Sequence, residues 1–277
     1  MGLARRWMRG QFGMWAWVLA ALVVWCLLPM EAQTPAQLVS TMAANEVAAR
    51  NQDTQYSYLA DEVSTRTGGH RWTEKVVETS LGPLHRLMAI DGRPLDAAEA
   101  KAESDRIEAI VRDPGEFQRL GNLHKDDEAR SQQLLQLLPR AFLITPDGEE
   151  NGCVRLAFHP NPSFVPSSYE ERVAAAMAGT VSIREPEGRL CLLQARIIRP
   201  VTFGFGLLGR IESGGSFSLQ RAPVDSVHWK SERISVHFAG RLLLMKSLTR
   251  EQEVVRTQVR LLPQPVTLQQ AALMTTQ

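Results

Sequence analysis

The sequence predicts an α+β fold that is mainly antiparallel β: an unclosed half β-barrel, a strongly curved sheet of roughly 9–11 strands with helices covering its concave face. Three observations predict it. Short runs rich in β-formers alternate apolar and polar residues through most of the chain. Glycine, proline and asparagine turns separate those runs, not long helical crossovers. Clear helical patterns occur only at the start and in the middle, where they interrupt the strands instead of alternating with them.

The N-terminus is laid out for export. Arg5, Arg6 and Arg9 form a basic flank, the run from Phe12 to Leu28 carries no charge, Pro29 breaks it, and Glu31 begins polar sequence. Residues 1–32 are therefore expected to be a signal peptide, with Ala32 and Ala36 as candidate cut positions. The alternative is an uncleaved anchor through residues 12–28, because such a run reaches the lower edge of the roughly 17–25 residues that span a bilayer. Arg5-Arg6 matches no more of a twin-arginine signal than the pair itself. Bulky Trp25 before Cys26 argues against a lipid-modified cysteine.

The whole chain holds 31 basic and 30 acidic residues; without the three arginines and Glu31 of the signal the balance is 28 against 29. No field of one sign attracts nucleic acid or an anionic membrane, so neither is expected as a partner. Residues 33–262 fit a single domain, with no low-complexity linker inside them.

Thr34 to Gln52 predicts the first helix, with Thr34 as cap, Pro35 in the first turn, and Leu38, Met42 and Val47 on one side. Tyr56–Arg66, Arg71–Ser80 and Leu84–Ile90 then read as three antiparallel strands joined at Gly68-Gly69 and Gly82-Pro83. A helical insertion occupies about residues 96–138. Asp96 and Glu99 open its first helix as a capping box, Pro114 halts it, and a second runs from about Asp126 to Leu138 and stops at Pro139. Strands resume at Ala141–Thr145 and Val154–His159. Ser168 and Glu171 cap a short helix through Met177, and Thr180–Arg184 is again a strand. In the next, Cys191, Leu193, Ala195 and Ile197 are expected on one face and Gln194 and Arg196 on the other. Phe217 and Leu219 alternate likewise, as do Ile234, Val236 and Phe238, and more loosely Val255, Val259 and Leu261. Residues 263–277, rich in Gln, Thr and Pro, are expected to be a disordered tail.

Cys153 and Cys191 are the thiols left after the signal. Exported cysteines invite a disulfide. If their strands flank the one at 179–184, however, two strand spacings separate them by about 9.5 Å, beyond the ~7 Å within which a bridge forms. Two separate buried thiols are expected, with a Cys153–Cys191 disulfide as the alternative.

Catalytic and cofactor motifs do not withstand their context. Gly204-Phe205-Gly206-Leu207-Leu208-Gly209 spells GxGxxG, but Arg210-Ile211-Glu212 leads to Ser213-Gly214-Gly215 and another strand, not to the helix that would receive a pyrophosphate. No dinucleotide or other cofactor is expected. His70, His85, His124, His159, His228 and His237 form no metal-ligand spacing, and no serine sits in GxSxG. Asp126-Asp127 and Glu149-Glu150 read as solvated pairs. No metal site and no enzyme activity are expected. The remaining signal is apolar: Phe203, Phe205, Leu207 and Leu208, then Phe217, Trp229, Ile234 and Phe238 on the following strands. These are core residues or the lining of a groove for acyl chains; core and cavity share one composition.

The segment Ala178–Ile183, the strand end Ile197-Ile198-Arg199-Pro200-Val201-Thr202-Phe203-Gly204 and the run Gly214–Phe217 resemble exported bacterial proteins of the outer-membrane lipoprotein-sorting, LolA-like family. The order of elements over residues 35–262 agrees with it. The resemblance implies an unclosed barrel with a helical lid, whose apolar cavity holds the acyl chains of lipids or lipoproteins in the periplasm. It also implies, as the alternative, an envelope protein-interaction or stress-sensor module with a self-filled cavity. Where the family carries an aromatic-acidic strand end, this chain has Val181-Ser182-Ile183-Arg184.

Overall fold

A computed structural model describes residues 33–52, 54–185, 187–203, 209–242 and 246–276. The expected signal at residues 1–32 lies outside them. Among the described residues no helix is long and apolar enough to cross a membrane.

The chain begins with α1 (Pro35–Arg50) and the meander β1 (Tyr56–Ser64), β2 (Trp72–Thr79), β3 (Gly82–Ile90) and β4 (Arg93–Pro94). Helices α2 (Ala97–Arg112) and α3 (Gly115–Ala141) follow. Next come β5 (Phe142–Glu150), β6 (Cys153–Pro160), α4 (Tyr169–Ala174), β7 (Met177–Arg184) and β8 (Arg189–Ile197). The hairpin β9 (Val201–Phe203) and β10 (Gly209–Ile211) leads to β11 (Ser216–Pro223), β12 (Trp229–Leu242), β13 (Lys246–Leu261) and α5 (Leu268–Met274).

Among the described residues thirteen strands join one antiparallel sheet ordered β4-β3-β2-β1-β13-β12-β11-β8-β7-β6-β5, with β10 paired to β12 and to β9. Its two ends do not meet, so the sheet is unclosed, as expected. The count exceeds 9–11 because β4, β9 and β10 have two or three residues each, too few to display alternation. Gly209 lies opposite Phe203, so the last glycine of GxGxxG opens a strand and not a helix.

Cross-strand partners share a face, and the register traces one face through the sheet. Glu62, Val254, Ile234, Leu219, Leu193, Val181 and Leu156 form a continuous row. Helix α1 and the end of α3 lie on this inner face over β5–β8. Leu38, Val39, Met42, Leu137 and Leu138 pack there against Leu156, Phe158, Val181, Ile183 and Leu190. Val77, next to Val76 on β2, points the other way and joins Leu84 beneath Ile107 of α2 and Leu268 and Ala271 of α5. Helices thus cover both faces, not the inner one alone.

Helix α3 passes between these layers. Phe117 near its start packs with the outer cluster and Leu137 and Leu138 near its end with the inner one. Between them Gly121 rests on the β2–β3 turn, where a Cβ would fall 1.8 Å from the Leu81 carbonyl oxygen. This helix is longer than the expected 126–138. Gly115 and Gly121 concealed its first turns, and Pro139 sits in its last turn, where it removes one hydrogen bond without ending the helix.

The tail is the clearest correction. Residues 263–277 are not a disordered segment: Thr267 and Gln270 form a capping box, and α5 buries Leu268 and Ala271. Arg86 Nε donates to Thr275 Oγ1 at 2.9 Å.

The cysteines are a second correction. Cys153 and Cys191 form a disulfide with their Cα atoms 6.7 Å apart, not two separate thiols. β7 does lie between their strands, as expected, but the register slips between Ser182 and Ile183, so Leu190 and Leu192 flank Cys191 as a bulge. That bulge moves Cys191 off the face of Leu193 and Ala195 and brings it to Cys153. A similar slip between Ser57 and Leu59 on β1 separates Val255 from the face of Val259 and Leu261; the inward residue is Val254.

Candidate binding face

The inner face divides into three zones. Over β6 and β7 it is covered: Phe158, Val181 and Ile183 are buried under α1 and α3. Across β8, β11 and β12 the same face carries Leu193, Ala195, Phe217, Leu219, Ile234, Val236 and Phe238, all half-buried. They fall in adjoining rows, Phe217 opposite Ala195 and Val236, Leu219 opposite Leu193 and Ile234. Phe238 lies over Gly215, where an added Cβ would sit 2.7 Å from its ring.

The third zone, on β1–β3, β12 and β13 and reaching Arg189 at the start of β8 and Arg221 near the end of β11, is polar and charged. Glu46 of α1 accepts from Arg189 Nε at 2.9 Å and pairs with Arg221. Arg221 also donates to the Trp229 carbonyl at 2.7 Å. The Arg189 guanidinium lies 5.8 Å from the Trp229 ring centre. Burial pushes the Arg221 guanidinium below its ordinary value, with Glu46 opposing that.

Beside this network, Lys230 Nζ lies 2.5 Å from Glu78 Oε1 and 4.5 Å from the centre of the Tyr56 ring. The Tyr58 hydroxyl donates to Glu78 at 3.3 Å. The Arg256 guanidinium carbon lies over the Tyr58 ring, 5.1 Å from its centre. Burial lowers the Lys230 ammonium and raises the Tyr58 phenol.

At the far edge Arg66 bridges Glu62 at 2.6 Å and Glu74 at 2.8 Å, and His85 Nδ1 approaches Glu74 at 2.9 Å. Burial pushes Glu74 upward, but hydrogen bonds with His85 and Arg66 outweigh it and hold the carboxyl at about 2.

Of the residues expected to line a groove, Phe217, Ile234 and Phe238 share the half-buried zone. Trp229 does not: it is buried at the boundary with the charged zone, 7% exposed, beneath Arg189. Phe203, Phe205, Leu207 and Leu208 lie outside the residues whose side chains are described. The charged residues were missed, yet they left a signal. Arg221 follows Leu219, and Arg256 follows Val254, at the two-residue spacing that keeps a strand residue on one face.

A cavity of about 640 Å³ lies elsewhere, between the 160–166 segment, α4 and β9, lined by Pro160, Phe164, Arg172, Ala176, Arg199 and Val201. Arg199 donates there to the Ala175 carbonyl at 2.7 Å. Five of the six histidines each face one carboxylate, as in His70–Asp91 and His228–Asp225. Among the described residues no three His, Cys, Asp or Glu side chains converge as metal ligands.

No protein-family model matches the chain, and no curated protein matches its sequence.

Proposed function

We propose that the inner face of this sheet binds the acyl chain of a lipid or lipoprotein, and that the protein is a non-enzymatic carrier working in the periplasm or after secretion. One observation carries the reading: seven apolar side chains on β8, β11 and β12 stay half-buried at the centre of a face whose neighbouring residues Phe158, Val181 and Ile183 on β6 and β7 are buried under helices. Each sequestered methylene contributes about 0.8 kcal/mol, so a 16-carbon chain gains on the order of 10 kcal/mol before the entropy of ordering it. The basic and apolar N-terminal layout and the Cys153–Cys191 bridge support an oxidising compartment.

The packing of α1 favours a second reading. Val39 and Met42 fill the β5–β8 half with this chain's own side chains, as in a protein-interaction or sensor module whose interior needs no guest.

Native mass spectrometry of periplasmically produced protein separates the two. The carrier retains lipid adducts and takes up a fluorescent fatty acid; protein that is repeatedly bare and takes up none rejects it. Phe217 is half-buried, so Phe217→Asp is expected to cut uptake at least tenfold while the domain still melts cooperatively. Unchanged uptake would remove β11 from the site.

A further inference from the structure

We propose that the charged zone of the inner face is an oxyanion site, in which Arg256 and Lys230 around Tyr58, with Arg221 beside them, hold the carboxylate or phosphate head of an amphiphile. The inference rests on the acyl-chain reading above, which places the tail of the same molecule on β8, β11 and β12.

The first support is an imbalance of charge. Four cations, Arg189, Arg221, Lys230 and Arg256, face two buried or nearly buried carboxylates, Glu46 and Glu78. Glu128 of α3 also acts on Lys230, but it is paired to Arg50 at 3.8 Å and half-exposed. Unpaired charge away from water is costly, and a bound anion removes that cost.

The second support is two orphaned donors. The Nε atoms of Arg221 and Arg256 are buried with no hydrogen-bond partner among the described residues. Buried polar groups are nearly always partnered. Arg256 makes no ion pair among the described residues; its hydrogen bond to the Ser231 carbonyl is long, at 3.4 Å. The guanidinium carbon of Arg256 lies 5.1 Å from the centre of the Tyr58 ring, and a guanidinium carries five N–H donors in a fork that matches a planar or tetrahedral oxyanion.

The third support is continuity. Arg256 stands two residues from Val254 on the same strand face, and Val254 lies in the row of Ile234, Leu219 and Leu193. A head at Arg256 therefore leaves its chain on the half-buried apolar rows, with no strand to cross out of the face.

The test compares dodecanoate, dodecyl phosphate and uncharged methyl dodecanoate by displacement of a fluorescent fatty acid from the full protein. Wild type is expected to bind at least one anionic ligand tenfold or more tighter than the ester. Arg256→Gln is expected to abolish that preference while leaving ester affinity within twofold, and Arg256→Lys to keep part of it. Whichever anion binds tighter identifies the source of the head, carboxylate or phosphate. Equal binding of acid and ester by wild type, or equal weakening of both in Arg256→Gln, overturns the head site and leaves the acyl reading standing. Anion binding with none of the ester overturns the acyl reading and keeps the site. Binding of none of the three overturns both. Circular dichroism and melting of Arg256→Gln check the fold, which is expected to hold because no carboxylate loses its partner.

Discussion

Glu46 on α1 sits 2.9 Å from Arg189 on β8 and pairs with Arg221 on β11 through its other oxygen. A single carboxylate so ties the helix to two arginines 32 residues apart in the chain, on strands that are neighbours in the sheet. It also accepts from the Leu190 amide at 3.2 Å. Glu46→Gln leaves two largely buried guanidinium groups without a counter-charge, so a loss of about 3–5 kcal/mol is expected. Urea unfolding measures it; a loss below about 1 kcal/mol would show that the network contributes little.

The disulfide closes a loop with a sequence separation of 38 residues. On the chain-entropy account such a cross-link contributes about 4 kcal/mol. The double variant Cys153→Ser, Cys191→Ser is expected to unfold at correspondingly lower urea. Thiol labelling under denaturing, non-reducing conditions should find neither Cys153 nor Cys191 free in the native protein; labelling of both would remove the bridge.

Truncation after Gln264 removes α5 and uncovers Val77 and Leu84 on the outer face. Losing the burial of Leu268 and its neighbours is expected to destabilise the domain by roughly 2–4 kcal/mol. A shortened chain that melts with the full one would show that α5 is dispensable to the fold.

Glu74 makes stability depend on pH. Its folded carboxyl titrates at about 2, below the ordinary 4.5, so its contribution is complete above pH 4.5 and is lost as the pH falls toward 2. The shift corresponds to on the order of 3 kcal/mol. Glu74→Gln is expected to flatten the acid limb of stability in that window. An unchanged acid limb would assign it to other carboxylates.

The strand meander, the capping box at Asp96 and the cap at Ser168 were legible because each is a local pattern: alternation, or two polar residues three apart. The tail helix carries the same signal at Thr267 and Gln270, but its Gln- and Thr-rich composition masked it. The bulges at Cys191 and Gln258 were not legible, because one extra residue in a strand reverses which side chains face inward without changing composition. The charged zone stayed hidden for a related reason. Tyr58, Glu78, Lys230 and Arg256 come from four strands, and only the pairing of β1 with β13 assembles them. The half-buried zone was legible as apolar residues, but its exposure depends on where α1 and α3 lie.

That pairing sets a timetable for the chain. Tyr56 pairs across to the strand that ends at Leu261, so the first meander waits for β13 to be made. Until then one flank of β1 is a bare edge, open to any passing extended segment. Contacts this distant in sequence close slowly. A nascent chain of this design depends on prompt arrival of β13 to escape self-association.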